Sequence, residues 1–379
     1  VPGMLMAAAR LDIPAIVVTG GTMYGGVVFD NRKTDATSVS EALGMYKAGR
    51  ITLDEFNALE DLVCPNCGSC SFFGTANTMG CLAEAMGMSL PDGGLIPATH
   101  PDRFRLAEES GKMICHLVRN GINARQVINK QSLENAVRVC LGVGGSTNAV
   151  LHLAAIAYEA ELDMDILGTF ESMSKDSPNI VKVNPASHYN MEDFWQAGGI
   201  PCVMDRMQEL LNTNVMTCSG KSVLENIRSH KYKFPVNNDI IRTLDNAYST
   251  TGAIAVLRGN LAPGTAVSKP NAIDPSVRRF TGKAVAFDYE EAANKAILES
   301  RIKAGDVVVI RYEGPRGGPG MREMFMSMKY LHGMGLDKVT AVVTDGRFSG
   351  TNNGCFVGHV SPEAADGGPI SIVEDGDKI

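Results

Sequence analysis

Apolar strands that end in glycine constrain this chain more than any other feature. Residues 13–18 (Ile-Pro-Ala-Ile-Val-Val) read as a buried strand running into Thr19-Gly-Gly21. Residues 306–310 do the same ahead of Arg311-Tyr-Glu-Gly-Pro-Arg-Gly-Gly-Pro-Gly-Met-Arg-Glu323, and residues 340–344 ahead of Asp345-Gly-Arg-Phe-Ser349-Gly. Short β-branched runs bounded by glycine are strand signals. A helix feeding such a strand, as 3–11 feeds 13–18, is the rhythm of an α/β layer with a largely parallel sheet. Ligands gather beyond the carboxyl ends of strands in such sheets, so Gly20-Gly21 is a candidate rim. The 40 glycines among 379 residues are clustered, which points to backbone shaped around a ligand and not to linkers.

Two helices follow Gly21, the first capped from Ser38 or Ser40, the second opened by the capping-box pattern Thr52-Leu-Asp-Glu55. Further helices are expected at 76–88, 102–120, 132–141 and 149–160, and residues 163–235 read as mostly helical. The character changes from about Ala253. Strands at 253–257, 266–268, 284–287, 306–310 and 340–344, with helices at 289–300 and 323–332, suggest a β-rich, barrel-like second domain. The expected division is an α/β domain over 1–250 and a β-rich domain over 251–379, with the boundary near 245–262. The chain opens on Val1 and stops at Asp377-Lys-Ile379 in what reads as mid-strand, so both domains are expected to be incomplete.

A net charge of −7 with no long basic run argues against nucleic acid or an anionic membrane as partner. No apolar run approaches the roughly 18 residues a membrane span needs, and nothing at the start reads as a signal peptide. Nine cysteines, an odd number and mostly scattered, fit a reducing cytoplasm, or an organelle matrix in a eukaryote, better than a disulfide framework.

Three of those cysteines crowd into Cys64-Pro-Asn-Cys67-Gly-Ser-Cys70, on a turn that opens a helix. Soft sulfur donors so placed suit zinc, an iron–sulfur cluster or a redox dithiol. Gly142-Val-Gly-Gly-Ser-Thr-Asn148 is a glycine turn at a helix start, matching neither the P-loop nor the dinucleotide pattern. It suits a carboxylate or hydroxyl-bearing ligand, or close helix packing. In the second domain Glu313 and Glu323 flank the long glycine loop, where Glu323 is either a magnesium ligand or a plain first-turn glutamate. Ser349 stands on a sharp turn past a strand, where a nucleophile or base can be presented. His359 reads as a core histidine in preference to an acid.

With these residues in view, the chain resembles the dihydroxy-acid dehydratase / 6-phosphogluconate dehydratase family, and is closest to the dihydroxy-acid branch. The likeness is carried by VPGMLMAAARLDIPAIVVTGG, CPNCGSCSFFGTANTMGCLAEAMGMSLP, GVGGSTNAVLHLAAIA, GNLAPGTAVSKPNAIDPS, RYEGPRGGPGMREM and TDGRFSG with GHVSPEAADGGPI. It implies a hydro-lyase that removes water from a 2,3-dihydroxy carboxylic acid and leaves a 2-keto acid. An iron–sulfur cluster (2Fe-2S in preference to 4Fe-4S) would act as Lewis acid, Mg2+ would orient the carboxylate and C2 hydroxyl, and a serine would take the C2 proton. Position by position, the resemblance makes Cys70 the cluster ligand with Cys64 and Cys67 as neighbours only. It makes Glu323 the Mg2+ ligand and Ser349 the base, and places Ser146, Thr147 and Thr351 on the substrate side. A homodimer is implied.

Two departures matter. The family's Cys-Asp-Lys segment and further upstream ligands have no counterpart here, so the chain alone is expected to be inactive. Thr351 stands where amino-acid-pathway members usually carry glycine, a feature of sugar-acid dehydratases, whereas Phe348 and GHVSPEAADGGPI favour the dihydroxy-acid enzymes of valine and isoleucine synthesis. The readings are therefore dehydration of 2,3-dihydroxyisovalerate and 2,3-dihydroxy-3-methylvalerate; an aldonate or 6-phosphogluconate dehydratase; and, remotely, a zinc or redox module built on the three cysteines.

Overall fold

The computed structural model describes residues 1–318, 320–350 and 354–379. The fold is α/β, and the chain divides into two compact units: Val1–Gly25 with Cys64–Ala253, and Gly26–Val63 with Ile254–Ile379. No helix among the described residues is long and apolar enough to cross a membrane.

The first unit is helical. Its interior is built on Thr75–Ala85, Lys130–Val143 and Asn148–Glu159. From Asn77 to Ala85 every residue is buried, which is why that helix shows no polar face. The long helix Pro101–Asn120 starts on a proline at its first position and stops at Gly121, whose φ of 63° is the left-handed stop glycine permits. Residues 13–18 are not a strand here. Val17 N–H donates to the Met88 carbonyl (2.7 Å), but Ile13 and Val18 stay 50% and 41% exposed, and no strand among the described residues pairs with the segment. The described residues of this unit hold only isolated bridges, among them Thr22 with Ser69 and with Pro97.

The sheet lies in the second unit. Its six strands run Ala255–Leu257, Thr265–Ser268, Cys355–Ser361, Ala341–Thr344, Asp306–Arg311 and Lys283–Asp288 across the sheet. The last four are parallel and the first two antiparallel. The described strands form an open sheet with two edges and do not close into the expected barrel. Successive side chains of the central strands serve opposite cores: Val308 and Ile310 pack with Val342 and Phe356, while Val307 and Val309 pack with Ala341 and Val360. Burial on both faces is what a parallel strand flanked by helices requires.

Residues 26–63 add a hairpin and two helices to this unit. The hairpin turns through Asp30 and Asn31, both at positive φ (49° and 61°), as a two-residue primed turn demands. The first helix, Ser38–Lys47, takes Thr37 as its cap, because the Ser38 hydroxyl is engaged by the Asp35 N–H instead. The second, Leu53–Leu62, keeps the Thr52/Glu55 capping box. Ser38–Lys47 packs on Met326–Gly333 through two glycines. A Cβ on Gly44 would lie 2.7 Å from the Tyr330 carbonyl oxygen, and one on Gly333 would lie 2.0 Å from that of Glu41. Beside this crossing, Lys329 and Glu41 form a buried ion pair at 2.6 Å.

Candidate active site

The cysteine turn of the first unit is held from both sides. Ser69 bridges Thr22, with its N–H donating to the Gly21 carbonyl (2.9 Å) and its carbonyl accepting from Met23 N–H (2.6 Å). Gly68 is required at that close approach: its φ is +138°, and a Cβ would sit 2.6 Å from Met23 N. From the following helix, buried Asn77 donates to the carbonyls of Cys70 and Phe72 and accepts the Ser69 hydroxyl. One amide thus fixes three residues of the turn and leaves Cys70 half-buried, with Cys64 and Cys67 exposed. Thr19, Gly20, Gly21, Cys67, Ser69 and Asn77 line a cleft of about 290 Å³; Gly20-Gly21 lines it without standing at the end of a sheet strand.

Two buried charges shape the cleft's far wall. Arg103 donates to the carbonyls of Thr19, Gly93 and Ile96, and burial lowers its pKa to about 10. Glu84 accepts the N–H groups of Asp92 (2.8 Å) and Gly94 (2.9 Å), and burial, with Asp92 adding to it, pushes its carboxyl up to about 8. Burial thus favours the neutral form of Glu84, while Arg103 stays a cation.

Ser146 and Thr147 lie in the interior, 0% and 3% exposed. The Ser146 hydroxyl is 3.1 Å from that of Thr75, Ser146 N–H donates to the Thr78 hydroxyl (3.0 Å), and Asn148 donates to Thr75 (2.8 Å). The glycine turn thereby latches onto the helix that carries Asn77.

In the second unit the two glycine loops leave the carboxyl ends of adjacent parallel strands, Asp306–Arg311 and Ala341–Thr344. They pair again further on. Glu323–Met324 runs parallel to Arg347–Phe348, and Ser349 N–H donates to the Met324 carbonyl (2.9 Å). Glu323 is thus held on one strand and Ser349 just past the end of its neighbour, Glu323 exposed and Ser349 8% exposed. This pairing delays the helix, which begins at Met326 and not at residue 323. Glu323 consequently does not draw on a helix N-terminus. Thr351 lies outside the described residues.

Buried carboxylates frame this loop pair. Glu313 accepts two bonds from the Arg322 guanidinium (3.0 and 2.7 Å) and the Glu290 N–H (2.8 Å), while Arg322 also grips Glu291. Asp345 accepts the N–H groups of Tyr312, Glu313 and Ala364 at 2.9–3.1 Å; its pKa is raised, because burial outweighs those bonds. Gly346 must lack a side chain, since a Cβ would meet Met324 Cε at 2.7 Å and Glu313 Cβ at 2.8 Å. His359 sits half-buried at φ 55°, where the ladder to Thr265–Ser268 slips between Gly358 and Ser361.

Asn77, Arg322 and Asp345 are site-forming residues that motif reading passes over. Asn77 has a usable signal: it is the one amide in the helix Thr75–Ala85, whose only other large polar side chain is Glu84.

Residues 1–226 match the family model described as dihydroxy-acid/6-phosphogluconate dehydratase N-terminal, and residues 239–379 the one described as C-terminal. A dihydroxy-acid dehydratase of Caldanaerobacter subterraneus subsp. tengcongensis is 50% identical over 381 residues, spanning 100% of this chain and 68% of the relative. Proteins of the same name from Acetivibrio thermocellus and Caldicellulosiruptor saccharolyticus are each 49% identical over 383 residues, with the same coverage.

Proposed function

Because the chain belongs to the dihydroxy-acid/6-phosphogluconate dehydratase family of hydro-lyases, we propose that it dehydrates a 2,3-dihydroxy carboxylic acid to a 2-keto acid. The proposed substrates are 2,3-dihydroxyisovalerate and 2,3-dihydroxy-3-methylvalerate of branched-chain amino-acid synthesis. The names of its relatives support the dihydroxy-acid class. The observation that supports the residue assignment is the parallel pairing of Glu323–Met324 with Arg347–Phe348, which Ser349 N–H extends by donating to the Met324 carbonyl.

No group of three or more His, Cys, Asp or Glu side chains able to hold a metal is gathered among the described residues. Cys70 and Glu323 therefore fit the part of single donors, a thiolate for an iron–sulfur cluster and a carboxylate for Mg2+, to be completed from outside the described residues. When bound, these groups supply a Lewis-acidic iron for the departing C3 hydroxyl and positive charge beside the C2 oxygen.

The protein's own part is proton handling and positioning. Ser349 Oγ, as the alkoxide, takes the C2 proton and becomes the neutral hydroxyl, and the electron pair of that C–H bond becomes the C2–C3 double bond as hydroxide leaves C3. The resulting enol gains a proton at C3 and loses the one on its C2 oxygen to give the keto acid. The Met324 carbonyl holds Ser349 by its N–H, so the hydroxyl is presented from a fixed backbone. Asn77 holds the Cys70 carbonyl in the same way. A homodimer in the cytoplasm, or in an organelle matrix, completes the proposal on family likeness.

The test is an anaerobic assay of the full-length protein, with iron analysis, on 2,3-dihydroxyisovalerate, D-xylonate and 6-phosphogluconate. Turnover of the first alone is expected. Preference for either sugar acid would move the protein to the other branch, and failure on all three would refute the reading.

A further inference from the structure

The cysteine motif holds more sulfur than the dehydratase reading uses. Of the nine cysteines, Cys81, Cys140, Cys202 and Cys218 are buried, and burial raises the Cys81 and Cys202 thiols and pushes Cys218 up to about 12. Thiols so placed are poor nucleophiles. Exposed thiols are Cys64, Cys67 and the solitary Cys115.

Cys64 and Cys67 are three residues apart, with Pro65 and Asn66 at the two central positions, and the backbone bends from Asn66 to Gly68. Proline then asparagine at the centre is a turn signature, and a four-residue turn brings its end Cα atoms within about 7 Å, near the upper limit for a disulfide. The segment between the two cysteines has a fixed centre. Asn66 accepts the Tyr24 N–H (3.1 Å) and donates to the Thr99 hydroxyl (3.2 Å), so the segment between the two thiols is anchored while they face solvent. Cys70, by contrast, is half-buried, with its carbonyl held by Asn77.

We propose that Cys64 and Cys67 are a redox dithiol, closing to an intramolecular disulfide by exchange with a small-molecule disulfide such as oxidised glutathione. One thiolate attacks a sulfur of that disulfide, breaks its S–S bond and releases one thiol. The second thiolate attacks the protein sulfur of the mixed disulfide and releases the other thiol. The protein pair loses two electrons and two protons, and the small disulfide gains them. Cys67 also lines the cleft beside Ser69 and Asn77, so closing the bridge alters the wall next to Cys70. The inference does not require Cys70 to bind a cluster.

The test equilibrates the chain with graded ratios of oxidised to reduced glutathione, quenches with acid, alkylates free thiols and maps the peptides by mass. A peptide lighter by two hydrogens, with Cys64 and Cys67 both refractory to alkylation, is expected. At the same ratio, less than about a tenth of Cys64 should remain as glutathione adduct, because a tethered thiol outcompetes a free one. Cys67→Ser should leave Cys64 as a lasting glutathione adduct, while Cys115→Ser should leave the bridge unchanged; unaltered circular dichroism of both variants controls for folding. The proposal is overturned if Cys64 and Cys67 gather glutathione independently, as Cys115 does, or if the bridge joins Cys67 to Cys70. The readout is thiol status and not turnover, so its failure leaves the dehydratase reading standing, and the converse holds.

Discussion

Replacing Lys329 by methionine should loosen the second unit at neutral pH and matter little in acid. Lys329 is 2% exposed and Glu41 5%, and they meet at 2.6 Å. Burial alone would raise the Glu41 carboxyl; Lys329, then Arg32 and His332, outweigh it and hold the carboxyl down to about 2, against an ordinary 4.5. A folded value below the unfolded one contributes stability that is complete above about pH 4.5 and is lost as pH falls towards 2. The interval of 4.5 − 2 = 2.5 units is worth about 3 kcal/mol. Lys329→Met leaves one oxygen of the buried Glu41 carboxylate without its donor while Arg32 still holds the other, for an expected loss of about 1–3 kcal/mol at pH 7, and Glu41→Leu with Lys329→Met should recover most of it.

The assay is hydrogen exchange read as protection factors in Ser38–Lys47 and Met326–Gly333 between pH 3 and 7. Trp195, the one tryptophan, lies in the other unit and serves as a control fluorophore. The deficit of the single variant should shrink on acidification, and the double variant should be nearly flat with pH. Equal protection of variant and wild type at pH 7, or a deficit that grows in acid, would refute the reasoning.

Gly333→Ala should cost about 1–3 kcal/mol in chemical denaturation, because the new Cβ would fall 2.0 Å from the Glu41 carbonyl oxygen. Asp345→Asn should free residues 312–323, since the amide NH2 faces N–H groups that lose their acceptor at about 1–3 kcal/mol each; limited proteolysis there should accelerate. In the full-length protein Cys70→Ser should abolish the brown iron–sulfur absorbance while Cys64→Ser keeps most of it; loss of colour in Cys64→Ser alone would contradict the ligand assignment.

Local signals in this chain survive folding, and signals that depend on neighbours do not. The Thr52/Glu55 capping box forms as written, and the five strands expected after residue 253 are present. The sequence pattern does not mark the strand Cys355–Ser361, although it lies inside the sheet. Gly358 interrupts its pattern, because a Cβ there would press on Phe348 at 3.0 Å. Residues 13–18 carry the strand composition but pair with no strand among the described residues, in keeping with β-propensity reporting surroundings as much as backbone. Within the site, spacing marks Glu323 and Ser349 singly. Their adjacency follows from two loops leaving adjacent strands, a property of the sheet and not of either motif.

Turnover of 2,3-dihydroxyisovalerate by the reconstituted full-length protein, wild type against Ser349→Ala, tests the central claim most directly. A positioned general base contributes about 10²–10⁴ in rate, so kcat should fall by at least about a hundredfold while iron content and Mg2+ affinity stay at wild-type values. A Ser349→Ala enzyme that turns over within a few-fold of wild type would contradict the account.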